Sequence, residues 1–177
     1  MSRKIKKVVI PVAGLGTRVL PATKSIPKEL LPVVDRPLID YVVAEARDAG
    51  IEHVILVTGR GKTAIEDYFD HAYELEETLR VKSKNDLLAE VERVIPRAGD
   101  LSYTRQQAPL GLGHAVWCAR AIVGEEAFAV SLPDEIVPHK PGFLKQMVDA
   151  YEEVGGNLVA VEETPNEDTS KYGIIAP

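Results

Sequence analysis

Gly14 and Gly16 stand two residues apart, Arg18 follows after Thr17, and Lys28 comes ten residues later behind Pro27. They close an apolar run of strand length, Val8-Val9-Ile10-Pro11-Val12-Ala13. Glycines at that spacing let a chain leaving a strand turn sharply and pass close to a ligand, and two cations beside them describe a cradle for phosphate. Residues 1–28 hold seven basic side chains (Arg3, Lys4, Lys6, Lys7, Arg18, Lys24, Lys28) and no acidic one, although the 177-residue chain carries a formal net charge of −6. Positive charge gathered at one end of an acidic chain suits a small anionic ligand better than a nucleic-acid surface. The tip Arg3–Lys7 reads as a solvated tail.

Two kinds of glycine-rich phosphate loop are excluded by their own spacing rules. A Walker loop needs Gly-x-x-x-x-Gly-Lys-Ser/Thr, which the chain lacks. A dinucleotide fingerprint needs a third glycine where Val19 stands and a carboxylate at the end of the second strand. That strand, Val54-Ile55-Leu56-Val57, runs into Thr58-Gly59-Arg60 with no carboxylate. Hydride chemistry is disfavoured.

What remains, Gly14-x-Gly16-Thr17-Arg18-x-x-Pro21-x-Thr23-x-x-x-Pro27-Lys28, resembles the signature of sugar-1-phosphate nucleotidyltransferases. The segment Gln106-Gln107-Ala108-Pro109-Leu110-Gly111-Leu112-Gly113-His114-Ala115-Val116 is similar to the base-recognition segment of the bacterial UTP–glucose-1-phosphate uridylyltransferases. Leu132-Pro133-Asp134-Glu135 resembles their metal-binding turn, and Thr169-Ser170-x-Tyr172-Gly173 their sugar-contacting turn. The resemblance runs in order along essentially the whole chain. Members of that family continue well past Pro177, so the chain reads as a single nucleotide-binding domain, residues 1–177, cut short on its C-terminal side.

The resemblance implies that the phosphate oxygen of a sugar 1-phosphate attacks the α-phosphorus of a nucleoside triphosphate and releases pyrophosphate. UTP and glucose 1-phosphate are the implied substrates. A phosphate nucleophile is already anionic near neutral pH, so the protein needs no general base. It must hold two anions in line and offset their repulsion. Arg18 is expected on the triphosphate, its planar fork of donors stabilising the departing pyrophosphate, with a surface ion pair as the alternative. Lys28 is expected beside the α-phosphate as a point charge, and Lys24 exposed. Asp134 is the expected Mg²⁺ ligand, since magnesium takes one or two carboxylates together with phosphate oxygens and water; a carboxylate capping the turn before Pro138 is its alternative. Arg18, Lys28 and Asp134 thus form the expected catalytic set. Glu135 departs from the commoner Asp-Asp pair of the family.

For the nucleotide, the resemblance implies contacts from Ala13, Gly14, Gly16, Thr17, Arg18, Glu29, Gln106 and Gly111. Backbone groups at Ala13, Gly14 and Gly111 and the Gln106 amide would meet the uracil edge. Gly173, after Tyr172, would let the sugar lie against the backbone. His114 and Cys118 read as structural, and His53, His71 and His139 show no metal-ligand spacing.

These residues need elements to position them. The runs Val8–Val12, Val54–Val57, Ala127–Leu132 and Leu158–Val161 are continuously apolar, as in strands buried on both faces, and Leu101–Arg105 is a further strand. Between them, Leu38, Val42, Ala46 and Ala49 share a helical face ending at Gly50; Phe143, Met147, Ala150 and Val154 repeat this before Gly155-Gly156. The alternation predicts an α/β, Rossmann-like doubly wound domain with a mainly parallel sheet flanked by helices. Every candidate then follows a strand, at the carboxyl edge where such sheets bind ligands. Residues 62–95 read as a helical insertion: one stripe of Ile65, Phe69 and Ala72, and another of Leu87, Val91 and Val94 behind a Ser83-x-x-Asp86 capping pattern. Its Tyr73–Leu79 stretch is a solvated face or, given that the family is commonly oligomeric, a homo-oligomer contact.

Composition adds limits: 45% apolar and 27% charged residues describe an ordinary globular chain, and one cysteine allows no internal disulfide. No membrane-length run or signal peptide is present, so a cytoplasmic protein without membrane or nucleic-acid partners is expected. The competing expectations are a thymidylyl- or cytidylyltransferase on a related sugar phosphate, a UTP-binding module that does not turn over, and an interaction domain.

Overall fold

In the computed structural model, which describes residues 4–165, 169–170 and 173–175, the apolar runs pair where their residues can be covered on both sides. The order is β1 (Lys7–Pro11), a small hairpin of β2 (Pro32–Val33) and β3 (Arg36–Pro37), α1 (Leu38–Asp48), β4 (His53–Thr58), α2 (Thr63–Phe69), α3 (Tyr73–Val81), α4 (Asn85–Arg93), β5 (Leu101–Arg105), α5 (Leu112–Cys118), α6 (Arg120–Val123), β6 (Ala129–Val130) and α7 (Phe143–Val154). The main sheet has the order β5-β4-β1-β6, and all three pairings are parallel. Val9 lies opposite Ile55 on one side and Val130 on the other.

Alternation along β1 divides the core. Val8 and Ile10 join Ile39, Val42 and Ala46 of α1, Ile65 and Phe69 of α2, and Leu144 and Val148 of α7 on one face. Val9, Ile55 and Val57 meet Ala115 of α5, Ala119 at the junction of α5 and α6, and Val123 of α6 on the other. Each wholly buried Val, Ile or Leu contributes about 1.5–3 kcal/mol relative to exposure, which makes β1 and β4 the rigid centre on which the site is mounted. No helix of the described residues is long and apolar enough to cross a membrane.

Several expectations change. Leu158–Val161 forms no strand: the segment is exposed coil, Val159 to 70%, and no described strand pairs with it. Of the expected sugar-contacting turn, Gly173 is exposed coil, and Lys171 and Tyr172, like Arg3, lie outside the described residues. The buried face of α7 is carried by Leu144 and Val148, one residue on from the expected stripe, and Val154 is exposed. Ser83 caps no helix. It closes α3 instead, at φ 54°, with its N–H donating to Arg80 O at 3.0 Å and the Lys84 N–H to Leu79 O at 2.9 Å, the paired bonds of a Schellman end. α4 begins at Asn85 without a side-chain cap, its Leu87 exposed. Within the basic tip, Lys6 and Lys7 are held in place: Lys7 Nζ donates to the Ile122 and Val123 carbonyls at the end of α6, and Lys6 pairs with Glu52.

Candidate active site

Parallel strands release their chains at one edge of the sheet, so side chains placed there converge whatever their separation in sequence. Past β1 the ladder continues for one residue, Val12 N–H donating to Val57 O at 2.9 Å, before the chain turns through residues 13–16. Gly16 has φ 65°, a left-handed conformation that costs other residues roughly 1–2 kcal/mol. A Cβ there would also lie 3.1 Å from Thr23 Cγ2 and 3.3 Å from Lys28 Cβ. The Thr23 hydroxyl donates to Gly16 O at 2.7 Å. The small size of Gly16 therefore serves the packing of Thr23 and the Lys28 stem. Gly14 is exposed, and a Cβ there would meet nothing within 4 Å, so it is the glycine left open to close approach.

Thr17–Val19 makes a single 3-10 turn. Thr17 and Arg18 are exposed on it, and Arg18 makes no hydrogen bond or ion pair among the described residues, which sets aside the surface ion pair. Lys24 is exposed as expected. A second such turn spans Ala22–Lys24, and a third, Lys28–Leu30, directs Lys28 Nζ to Asp134 Oδ2 at 2.7 Å, across 106 residues of sequence. Asp134 sits in the turn after β6, which Glu135 N–H closes by donating to Leu132 O at 3.2 Å. Partial burial pushes the Asp134 carboxyl toward its protonated form. The hydrogen bond and charge of Lys28, helped by the charge of Arg18, outweigh this and hold its pKa below the usual 3.8. Lys28 and Asp134 are thus a bonded pair, with the charge of Arg18 a smaller influence on the carboxylate.

Glu29 follows Lys28 but points into the protein: it is wholly buried, and its Oε2 accepts from Lys62 Nζ at 2.7 Å. Gln106 leaves β5 with its N–H donating to Thr58 O at 2.9 Å. Its side-chain Nε2 donates to Gly111 O at 3.0 Å and lies 3.1 Å from His114 Nδ1. With both amide hydrogens engaged, Gln106 Oε1 is left as the acceptor, the group that would meet the N3–H donor of uracil. Gly111, at φ 94°, is the left-handed entry to α5. Ala13 is half-buried, and a Cβ on Gly59 would lie 3.2 Å from its carbonyl oxygen. Gly173 is exposed, and no described hydrogen bond or ion pair joins it to the other candidates.

Two residues at the site carry roles the sequence does not announce. His114, read as structural, orients the Gln106 amide and stacks on Trp117 at 5.9 Å between ring centres. Lys62 holds Glu29; its one local signal is its place just past the carboxyl end of β4. For a metal, Asp134 is an exposed carboxylate, 46% accessible at its side chain, and no group of three His, Cys, Asp or Glu among the described residues could cage an ion. That donor set fits magnesium, which needs little from the protein and completes its shell with phosphate and water.

The nucleotidyl transferase family model matches residues 7–177. The UTP–glucose-1-phosphate uridylyltransferase of Bacillus subtilis (strain 168) is 51% identical over 175 residues, 99% of this chain and 60% of that protein. A UTP-bound UGPase from Acinetobacter baumannii is 54% identical with a TM-score of 0.80, covering 85% of this chain and 53% of that one. A UDP-glucose pyrophosphorylase complexed with UDP-glucose is 46% identical with a TM-score of 0.82, covering 97% and 62%. The chain therefore spans between about half and just over three-fifths of the length of these relatives. With the parallel sheet, the glycine loop and the Lys28–Asp134 contact in place over the matched residues, the chain belongs to the nucleotidyl transferase family.

Proposed function

We propose that this chain transfers a uridylyl group from UTP to glucose 1-phosphate, forming UDP-glucose and pyrophosphate. The observation that carries the reading is the 2.7 Å contact between Lys28 and Asp134, which unites the phosphate loop with the turn after β6 at the carboxyl edge of the sheet. The names of the relatives support uridylyl transfer over thymidylyl or cytidylyl transfer.

In the reaction, a phosphate oxygen of glucose 1-phosphate forms a bond to the α-phosphorus of UTP while the bond from that phosphorus to the bridging oxygen of the β-phosphate breaks. The electron pair leaves with pyrophosphate. Arg18, exposed and without a hydrogen bond or ion pair among the described residues, stabilises charge on the leaving group. Lys28 offsets the repulsion between the α-phosphate and the incoming anion. Gly14 leaves room for the uracil edge to approach its main chain, and Gln106 Oε1, oriented by His114, accepts the N3–H of uracil. Mg²⁺, held by the Asp134 carboxylate, would supply charge neutralisation on the phosphates.

The test is product detection by chromatography and mass, with Mg²⁺, glucose 1-phosphate and each of UTP, dTTP, CTP and ATP in turn. UDP-glucose formed with UTP alone is expected. Binding of UTP without product would make the chain a nucleotide-binding module, and a sugar nucleotide formed preferentially from dTTP or CTP would overturn the uridylyl reading.

A further inference from the structure

We propose that Lys62 is a positioning residue of the nucleotide site: its buried ion pair with Glu29 fixes the turn that aims Lys28 at the nucleotide phosphates. The inference rests on the nucleotide reading above. Lys62 stands at the start of α2, at the end of the loop that leaves β4. Its Nζ donates to Glu29 Oε2 at 2.7 Å, and the two side chains are 7% and 0% exposed. The other carboxylate oxygen, Glu29 Oε1, has no hydrogen-bond partner among the described residues.

Such a pair is a poor source of stability. Taking two charges out of water costs more than their attraction returns unless every lone pair finds a donor, and apolar residues of similar volume commonly do as well or better. What the pair supplies is direction. Glu29 follows Lys28 within one three-residue 3-10 turn, and a turn that short has no helical stability of its own. Anchoring the Glu29 side chain in the core therefore sets the direction in which Lys28 leaves the backbone. On its other side the Lys28 stem rests against Gly16, where a Cβ would come within 3.3 Å of it. The β4–α2 loop also backs the phosphate loop directly, since a Cβ on Gly59 would stand 3.3 Å from the Ala13 Cβ. Residues 59–62 thus press on the site at two points, Ala13 and Glu29.

The test compares wild type, Lys62→Met and the double variant Glu29→Met/Lys62→Met for binding of UTP and of uridine by NMR chemical-shift titration, with melting temperature measured alongside. Uridine has no phosphate to meet Lys28 and reports the base site alone. Lys62→Met strands a buried carboxylate and is expected to melt lower. The double variant removes both charges and is expected to melt no lower than wild type, to bind uridine unchanged and to bind UTP about tenfold more weakly, the loss of roughly one charge-assisted hydrogen bond. A double variant whose UTP affinity is unchanged, or whose uridine and UTP affinities fall together, overturns the proposal. Wild-type chain that binds neither ligand overturns the nucleotide reading, and this proposal with it.

Discussion

Lys28 Nζ stands 2.7 Å from Asp134 Oδ2, so the cation assigned to the α-phosphate rests on the carboxylate assigned to the metal. A nucleotide with its divalent ion offers each a different partner, phosphate oxygen for Lys28 and metal for Asp134. The contact also determines how Asp134 titrates. Burial raises its pKa and Lys28 is the main opposing influence, so Lys28→Met is expected to move the Asp134 titration upward, as followed by ¹³C NMR of the carboxyl carbon. An unmoved titration would mean that the contact does not form in solution. The sign for stability follows from the lowered pKa: the contribution is fully present above the unfolded value near 3.8 and is lost as pH falls through the lower folded value. Urea unfolding across that window should show wild type losing more stability than Lys28→Met.

Asp134→Asn keeps the shape of the side chain and removes its charge. The carboxylate is half-exposed, and exposed pairs are worth about 0–1 kcal/mol, so the melting temperature should move by no more than about 4 °C. Mg²⁺-dependent transfer should fall by about a hundredfold or more. A variant that retains turnover with unchanged dependence on Mg²⁺ concentration would remove Asp134 from the metal site.

Arg18→Ala separates chemistry from folding. Arg18 is exposed and makes no hydrogen bond or ion pair among the described residues, so its loss should leave stability within about 0.5 kcal/mol of wild type. Transfer should slow by roughly a hundredfold, as when one preorganised donor to a developing charge is removed. A variant that melts lower and turns over normally would make the side chain structural.

What the sequence reveals of this fold depends on whether a residue's role is written locally. β1 and β4 are legible because strands buried on both faces appear as continuous apolar runs, whereas their register, Val9 opposite Ile55, is not written in such runs. Leu158–Val161 carries the same signal yet lies exposed: an apolar run states a preference for burial and leaves the partner unspecified. The phosphate loop and the Asp134 turn are legible as short spacings. The Glu29–Lys62 pair is not, because its partners are 33 residues apart and a lysine after Gly59-Arg60-Gly61 looks like any solvated loop cation. His114 is hidden for a related reason, since only the folded start of α5 brings its Nδ1 to the Gln106 amide.

The two glycines of the phosphate loop should fail in opposite ways. Gly16→Ala meets a φ of 65° and two side chains at 3.1–3.3 Å, so it should cost about 1–2 kcal/mol and lower the melting temperature by roughly 2–8 °C. Its effect on UTP binding should follow from the displacement of Lys28, leaving uridine affinity close to wild type. Gly14→Ala meets nothing within 4 Å and needs no left-handed backbone, so the fold should be unaffected. If the nucleotide backs onto Gly14, the new methyl group takes the space the ligand needs, and affinity for both UTP and uridine should fall. Melting curves together with titrations of the two ligands decide the matter. Gly14→Ala binding both at wild-type strength would move the nucleotide away from this glycine, and the assignment of Ala13 and Gly14 to the base would go with it.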